Sequence, residues 1–122
     1  MLFYEVFIKE KQLGFEAVKA EYEALAKANE NSWRILFSIA NVFSYNEYFK
    51  EAIPMWQKTF DCMPKPRYTD SFEAMAQCCV RMGDHESAVE YYKKELELLR
   101  EDWGLKYGAE VDALEEKIRA LQ

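Results

Sequence analysis

The sequence predicts an all-α chain of antiparallel helix-hairpin repeats, and three observations carry that prediction. Apolar residues recur at three- and four-residue spacing through successive segments, the period of one helix face. Only four glycines and three prolines punctuate 122 residues, too few for a strand-and-turn architecture. The apolar pattern between Leu36 and Phe60 returns 36 residues later, which marks an internal repeat. The length suits one domain spanning 1–122 that buries a core without staples. Half the residues are apolar and 16% are aromatic, which excludes a disordered chain.

The elements follow in order. Residues near 2–12 form a first helix that ends at Gly14. Residues 15–29 carry Val18, Tyr22 and Leu25 on one face. Ser32 is an N-cap for a helix running to about Tyr45, with Leu36, Ile39, Ala40 and Phe43 on one side. Asn46 makes a short turn or caps the next helix, which holds Phe49, Ala52, Ile53, Trp56 and Phe60. Pro54 lies inside that helix, so it is kinked or begins later than the pattern suggests. Pro64-Lys65-Pro66 is a break. Thr69, Asp70 or Ser71 then caps a helix with Phe72, Met75, Ala76 and Cys79. Met82-Gly83-Asp84 is a tight turn, and the helix after it carries Ala88, Val89, Tyr92, Leu96 and Leu99 as far as Trp103-Gly104. After Gly108 a last helix shows the narrow stripe Val111, Leu114, Ile118, Leu121.

Aligning Ala52 with Ala88 brings the two hairpins into register. Leu36 meets Phe72, Ile39 meets Met75, Ala40 meets Ala76 and Phe43 meets Cys79. Ile53 meets Val89, Trp56 meets Tyr92 and Phe60 meets Leu96, all at one offset. These residues resemble the tetratricopeptide repeat, a helix-turn-helix unit of about 34 residues. That family has a large, a medium and a small residue along its first helix, as in Leu36, Ile39, Ala40 and Phe72, Met75, Ala76. It has a turn Gly (Gly83), a small Ala where the helices touch (Ala52, Ala88), a following aromatic (Trp56, Tyr92) and a closing Pro (Pro64). Glu47, Cys79 and Arg100 depart from it, standing where a Gly, an aromatic and a Pro are usual. The resemblance implies a right-handed superhelix with repeats at 31–66 and 67–103, and a C-terminal capping helix at 104–122. It also implies a degenerate unit at 1–30, where Gly14 is the turn and Ala17 and Leu25 echo Ala52 and Phe60. The tail LELLREDWGLKYGAEVDALEEKIRAL is in addition similar to the end of the helical-repeat region of bacterial transcriptional activators, which implies a regulatory module as the alternative role.

Composition narrows the function. The net charge of −6 opposes binding to phosphate backbones, and no Lys/Arg run is long enough to reverse that locally. No apolar run approaches the ~20 residues that span a bilayer. MLFYEVFIKEKQ lacks the apolar region and small-residue cleavage site of a secretory signal. Cys62, Cys78 and Cys79 are odd in number and two are adjacent, a poor disulfide framework that points to a reducing, cytoplasmic setting. On a helix Cys78 and Cys79 point about 100° apart, one toward the core and the other toward a neighbouring surface.

No phosphate loop, GxSxG or HExxH occurs, so no catalytic residue, metal ligand or cofactor is expected and the chain is read as a non-enzyme. His85, the sole histidine, reads as structural or solvated. Glu115-Glu116 and Glu101-Asp102 read as a solvated face, pairing with Lys117 or Arg100. Trp33 is expected to pack on the segment before it, and Trp103 and Tyr107 to pin the closing helix. The last stripe is either a cap or a dimer contact.

By the family resemblance, a partner protein or peptide lies along the first helix of each repeat. The groove positions are then Arg34, Phe37, Asn41, Ser44 and Tyr45 in one repeat and Asp70, Glu73, Gln77 and Arg81 in the next. Asn41 matches a backbone-holding Asn of the family's peptide-carboxylate binders. Phe37 and Ala74 stand where those binders have Lys or Arg, so carboxylate recognition is not implied. The expected function is a protein–protein interaction module; a self-associating scaffold, forming a homodimer through Val111 and Ile118 or exposed aromatics, is the second.

Overall fold

A computed structural model describes residues 2–122 as seven helices with no strand among them. They are α1 (Phe3–Leu13), α2 (Phe15–Ala28), α3 (Trp33–Tyr45), α4 (Phe49–Asp61), α5 (Asp70–Arg81), α6 (His85–Trp103) and α7 (Ala109–Leu121). Each helix packs chiefly on its neighbour in sequence, and α3 also approaches α5. The chain is therefore a row of hairpins, α1–α2, α3–α4 and α5–α6, closed by α7.

The repeat is written in backbone hydrogen bonds. Asn46 N–H donates to Val42 O at 3.1 Å, Glu47 to Ser44 O at 3.0 Å and Tyr48 to Phe43 O at 2.9 Å. The same three bonds recur from Met82 to Cys78 O, Gly83 to Val80 O and Asp84 to Cys79 O, at 3.1, 3.0 and 2.8 Å. Such bonds satisfy the last carbonyls of a helix and need a left-handed residue just past its end. Gly83 fills that position at φ 80°, and Glu47 fills it at φ 67°. Glu47, which stands where the resembled repeat has glycine, adopts the left-handed conformation a glycine would have. Asp84 then caps α6, its carboxylate accepting from the Ser87 N–H at 3.1 Å.

Ala52 and Ala88 are both wholly buried where the two helices of each hairpin meet. Trp56 and Tyr92 follow one turn later, also buried. The first hairpin contains the same pair, as Val18 and Tyr22, both fully buried. They precede Ala52 and Trp56 by 34 residues, so Val18 rather than Ala17 is the contact residue; Ala17 is exposed. The expected register there was one residue out, because Gly14 leads straight into α2 without the extra turn residue that Tyr48 supplies.

Other expectations are corrected. The helix containing Pro54 begins at Phe49 and includes the proline, so it does not start late. Cys78 and Cys79 are both buried, since α5 is covered by α4 on one side and α6 on the other. Trp33 also packs forward, its ring 5.8 Å from Tyr68. Trp103 Nε1 donates to Arg67 O at 2.7 Å and so holds the link between α4 and α5, while Tyr107 is 84% exposed and pins nothing. Asp102 is not a solvated residue. It accepts from the Arg67 backbone N–H and Nε at 2.9 Å and from Nη2 at 3.1 Å, which holds its carboxyl down at about 2. Val111, Leu114 and Ile118 are buried against α6 with Val89, Tyr92 and Leu99 nearby, so a stripe free for dimer contact is absent from this arrangement.

Candidate functional site

The groove lies between α3 and α5, with α4 beneath. Its floor is Trp56, which the hairpin contact at Ala52 sets one turn away. Trp56 Nε1 donates to Ser44 Oγ at 2.9 Å, and the Ser44 hydroxyl lies 3.7 Å from Cys78 Sγ. The Phe37 ring meets Trp56 edge-on with centroids 5.1 Å apart. The tryptophan is thus held by a hydrogen bond from its indole N–H and by a T-shaped aromatic contact, a rigid base with its polar atom satisfied.

Two cavities open along this floor. One, about 330 Å³, is lined by Asn41, Ser44, Phe49, Trp56, Ala74, Gln77, Cys78 and Arg81 among others. The other, about 380 Å³, is lined by Phe37, Asn41, Trp56, Thr69, Asp70, Glu73, Ala74 and Gln77. They share Asn41, Trp56, Ala74 and Gln77, so they form one continuous groove. Ala74 leaves room opposite Phe37, where a longer side chain would close it. A larger depression of about 530 Å³ lies between α2 and α4, where Lys58 pairs with Glu30 and Glu51 with Lys19 beside it.

The structure gathers most of the expected groove residues here. Asn41 and Gln77, equivalent at the 36-residue offset, are both exposed on the walls. Asn41 makes no hydrogen bond to another described residue, and Gln77 Nε2 donates to Glu73 at 3.3 Å. Arg81 closes one end, its guanidinium 5.0 Å from the Phe49 centroid and 2.5 Å from Glu47. Arg34 and Tyr45 line neither cavity: Arg34 rests on the Trp33 ring at 4.9 Å, and Tyr45 is 84% exposed.

One feature escaped the sequence. Glu95, on α6 but turned inward, is 4% exposed and its Oε1 has no hydrogen-bond partner among the described residues. It occupies the buried position held by Thr59 in the preceding hairpin. Burial, then the neighbouring carboxyl of Glu73, push it up to about 8. At neutral pH it therefore keeps its proton. Lys117 reaches across from α7 to Glu73 at 2.9 Å, instead of pairing along its own helix. A buried polar residue at a regular apolar position is the available signal, since Leu25 and Thr59 stand at the equivalent sites.

The buried thiols Cys78 and Cys79 lie outside ordinary nucleophile chemistry. Burial pushes Cys78 up and raises Cys79 to about 11. Among the described residues no group of His, Cys, Asp and Glu is placed to hold a metal ion, and no helix is long and apolar enough to cross a membrane. Compared with known proteins, the chain matches no family model and no curated protein.

Proposed function

We propose that the chain is a protein–protein interaction module that binds an extended segment of a partner protein in the groove between α3 and α5. The observation that carries this reading is the placement of Asn41 and Gln77, two exposed amides facing one groove over a rigid aromatic floor. An amide offers a donor and an acceptor, which suits a peptide backbone whatever its side chains. Half-buried Phe37 supplies apolar area to desolvate, and the Trp56 beneath it, 3% exposed, is ordered before a ligand arrives, which lowers the entropic cost of binding. The tetratricopeptide-like spacing of the hairpins supports the same reading.

Selection from a displayed library of random peptides tests it. Wild-type protein is expected to enrich a set of sequences, and Asn41→Ala with Arg81→Ala to weaken them about tenfold at unchanged helicity by circular dichroism. Enriched peptides that bind the double variant equally well reject this groove.

A further inference from the structure

We propose that the Asp70–Glu73 end of the groove receives a lysine or arginine side chain of the bound segment. The inference rests on the peptide-groove reading above and adds the chemistry of one subsite.

The cavity at this end holds about 380 Å³ and joins two kinds of wall. Asp70 and Glu73 line it from α5, and the Phe37–Trp56 pair lines it from α3 and α4. No basic residue lines it. Carboxylates beside an aromatic surface are the arrangement that takes a cation with an apolar stem, because the head meets charge while the methylenes lie on the ring.

The existing counter-charge is incomplete. Lys117 pairs with Glu73 but approaches from α7 and lies outside the cavity lining. Asp70 forms no ion pair with any described residue. With Glu95 protonated, two carboxylates face one ammonium, and the junction keeps an excess negative charge. Behind them the Glu95 carboxyl is buried near Glu73 with an oxygen that no donor among the described residues reaches. The preceding hairpin has Arg34 and Phe37 at the equivalent positions, so the acidic pair belongs to this end of the groove alone.

The test uses selected peptides, N-acetylated and C-amidated, synthesised with lysine, norleucine or glutamate at the position under study. Calorimetry is expected to show lysine binding about tenfold tighter than norleucine, with glutamate weakest and the lysine advantage shrinking as salt rises. Asp70→Asn, which leaves the Lys117–Glu73 pair intact, is expected to remove most of the advantage while the norleucine peptide binds as before. That retained binding shows the variant is folded. Equal affinity of lysine and norleucine peptides for wild type overturns the cation subsite and leaves the groove standing. A lysine advantage that survives both Asp70→Asn and Glu73→Gln also overturns it. A library that yields no binder at all removes the groove reading itself.

Discussion

Glu47 and Gly83 stand 36 residues apart and adopt the same left-handed backbone, at φ 67° and 80°. Each receives the same pattern of hydrogen bonds around it, so the turn geometry and not the residue type is repeated. A side chain at such φ is strained, and glycine is not. Glu47→Gly is expected to stabilise the fold by about 0.5–1 kcal/mol, a rise of a few degrees in thermal unfolding. Gly83→Ala is expected to cost about 1 kcal/mol from backbone strain alone, because a Cβ there meets nothing within 4 Å. Glu47→Gly that destabilises would show that its exposed pairing with Arg81 outweighs the strain.

Ala88 is fully buried where α5 and α6 touch, and Ala17 is exposed. Ala88→Leu forces the helices apart and is expected to cost about 1–3 kcal/mol in denaturant unfolding. Ala17→Leu is expected to change stability by less than ~0.5 kcal/mol. Similar losses at both sites would restore Ala17 as the contact residue of the first hairpin.

Glu95 gives stability a pH dependence of definite sign. Folding raises its pKa from the ordinary 4.5 to about 8, so between those values the folded chain holds a proton that the unfolded chain has released. Stability therefore falls as pH rises through that window. The groups facing Glu95 are Glu73 and Asp70 on α5, Lys117 on α7 and Tyr92 on its own helix. Glu95→Gln is expected to flatten the dependence and to exceed wild type by roughly 1–3 kcal/mol above pH 8. Parallel stability curves for the two proteins between pH 5 and 9 would contradict the buried, protonated carboxyl.

Asp102 acts in the opposite sense. Its pKa is held down by Arg67, so its contribution is complete above about pH 4 and is lost as pH falls toward 2. Arg67→Met is expected to lower the melting temperature at pH 7 and to converge on wild type near pH 2. Because Trp103 bonds the Arg67 carbonyl, tryptophan emission is expected to report the loosening of the link between α4 and α5.

The two later hairpins were legible in the sequence because Ala52 and Ala88 recur with their aromatic partners at one spacing. The first hairpin was harder to read: Val18 replaces the alanine, and its turn is shorter. Glu47 looked like a breach of the pattern because a sequence shows residue type and not φ. Asp102 and Lys117 looked like surface charges because their partners, Arg67 and Glu73, lie 35 and 44 residues away. Helix periodicity reports which face a residue occupies and not what crosses to it. Of the groove positions that the resemblance implied, Phe37, Asn41, Glu73, Gln77 and Arg81 line the two cavities. The resemblance did not show that Arg34 folds onto Trp33 or that Tyr45 points clear of the cavities.

Amide chemical-shift mapping tests the groove most directly. A peptide enriched on the wild-type protein is titrated into isotope-labelled chain, and the perturbed positions are assigned. Shifts are expected to cluster at Phe37, Asn41 and Ser44 on α3, at Glu73, Gln77 and Arg81 on α5, and at the Trp56 indole N–H. Shifts confined to the exposed apolar residues of α1, Tyr4 and Ile8, with the Trp56 indole unmoved, would contradict it.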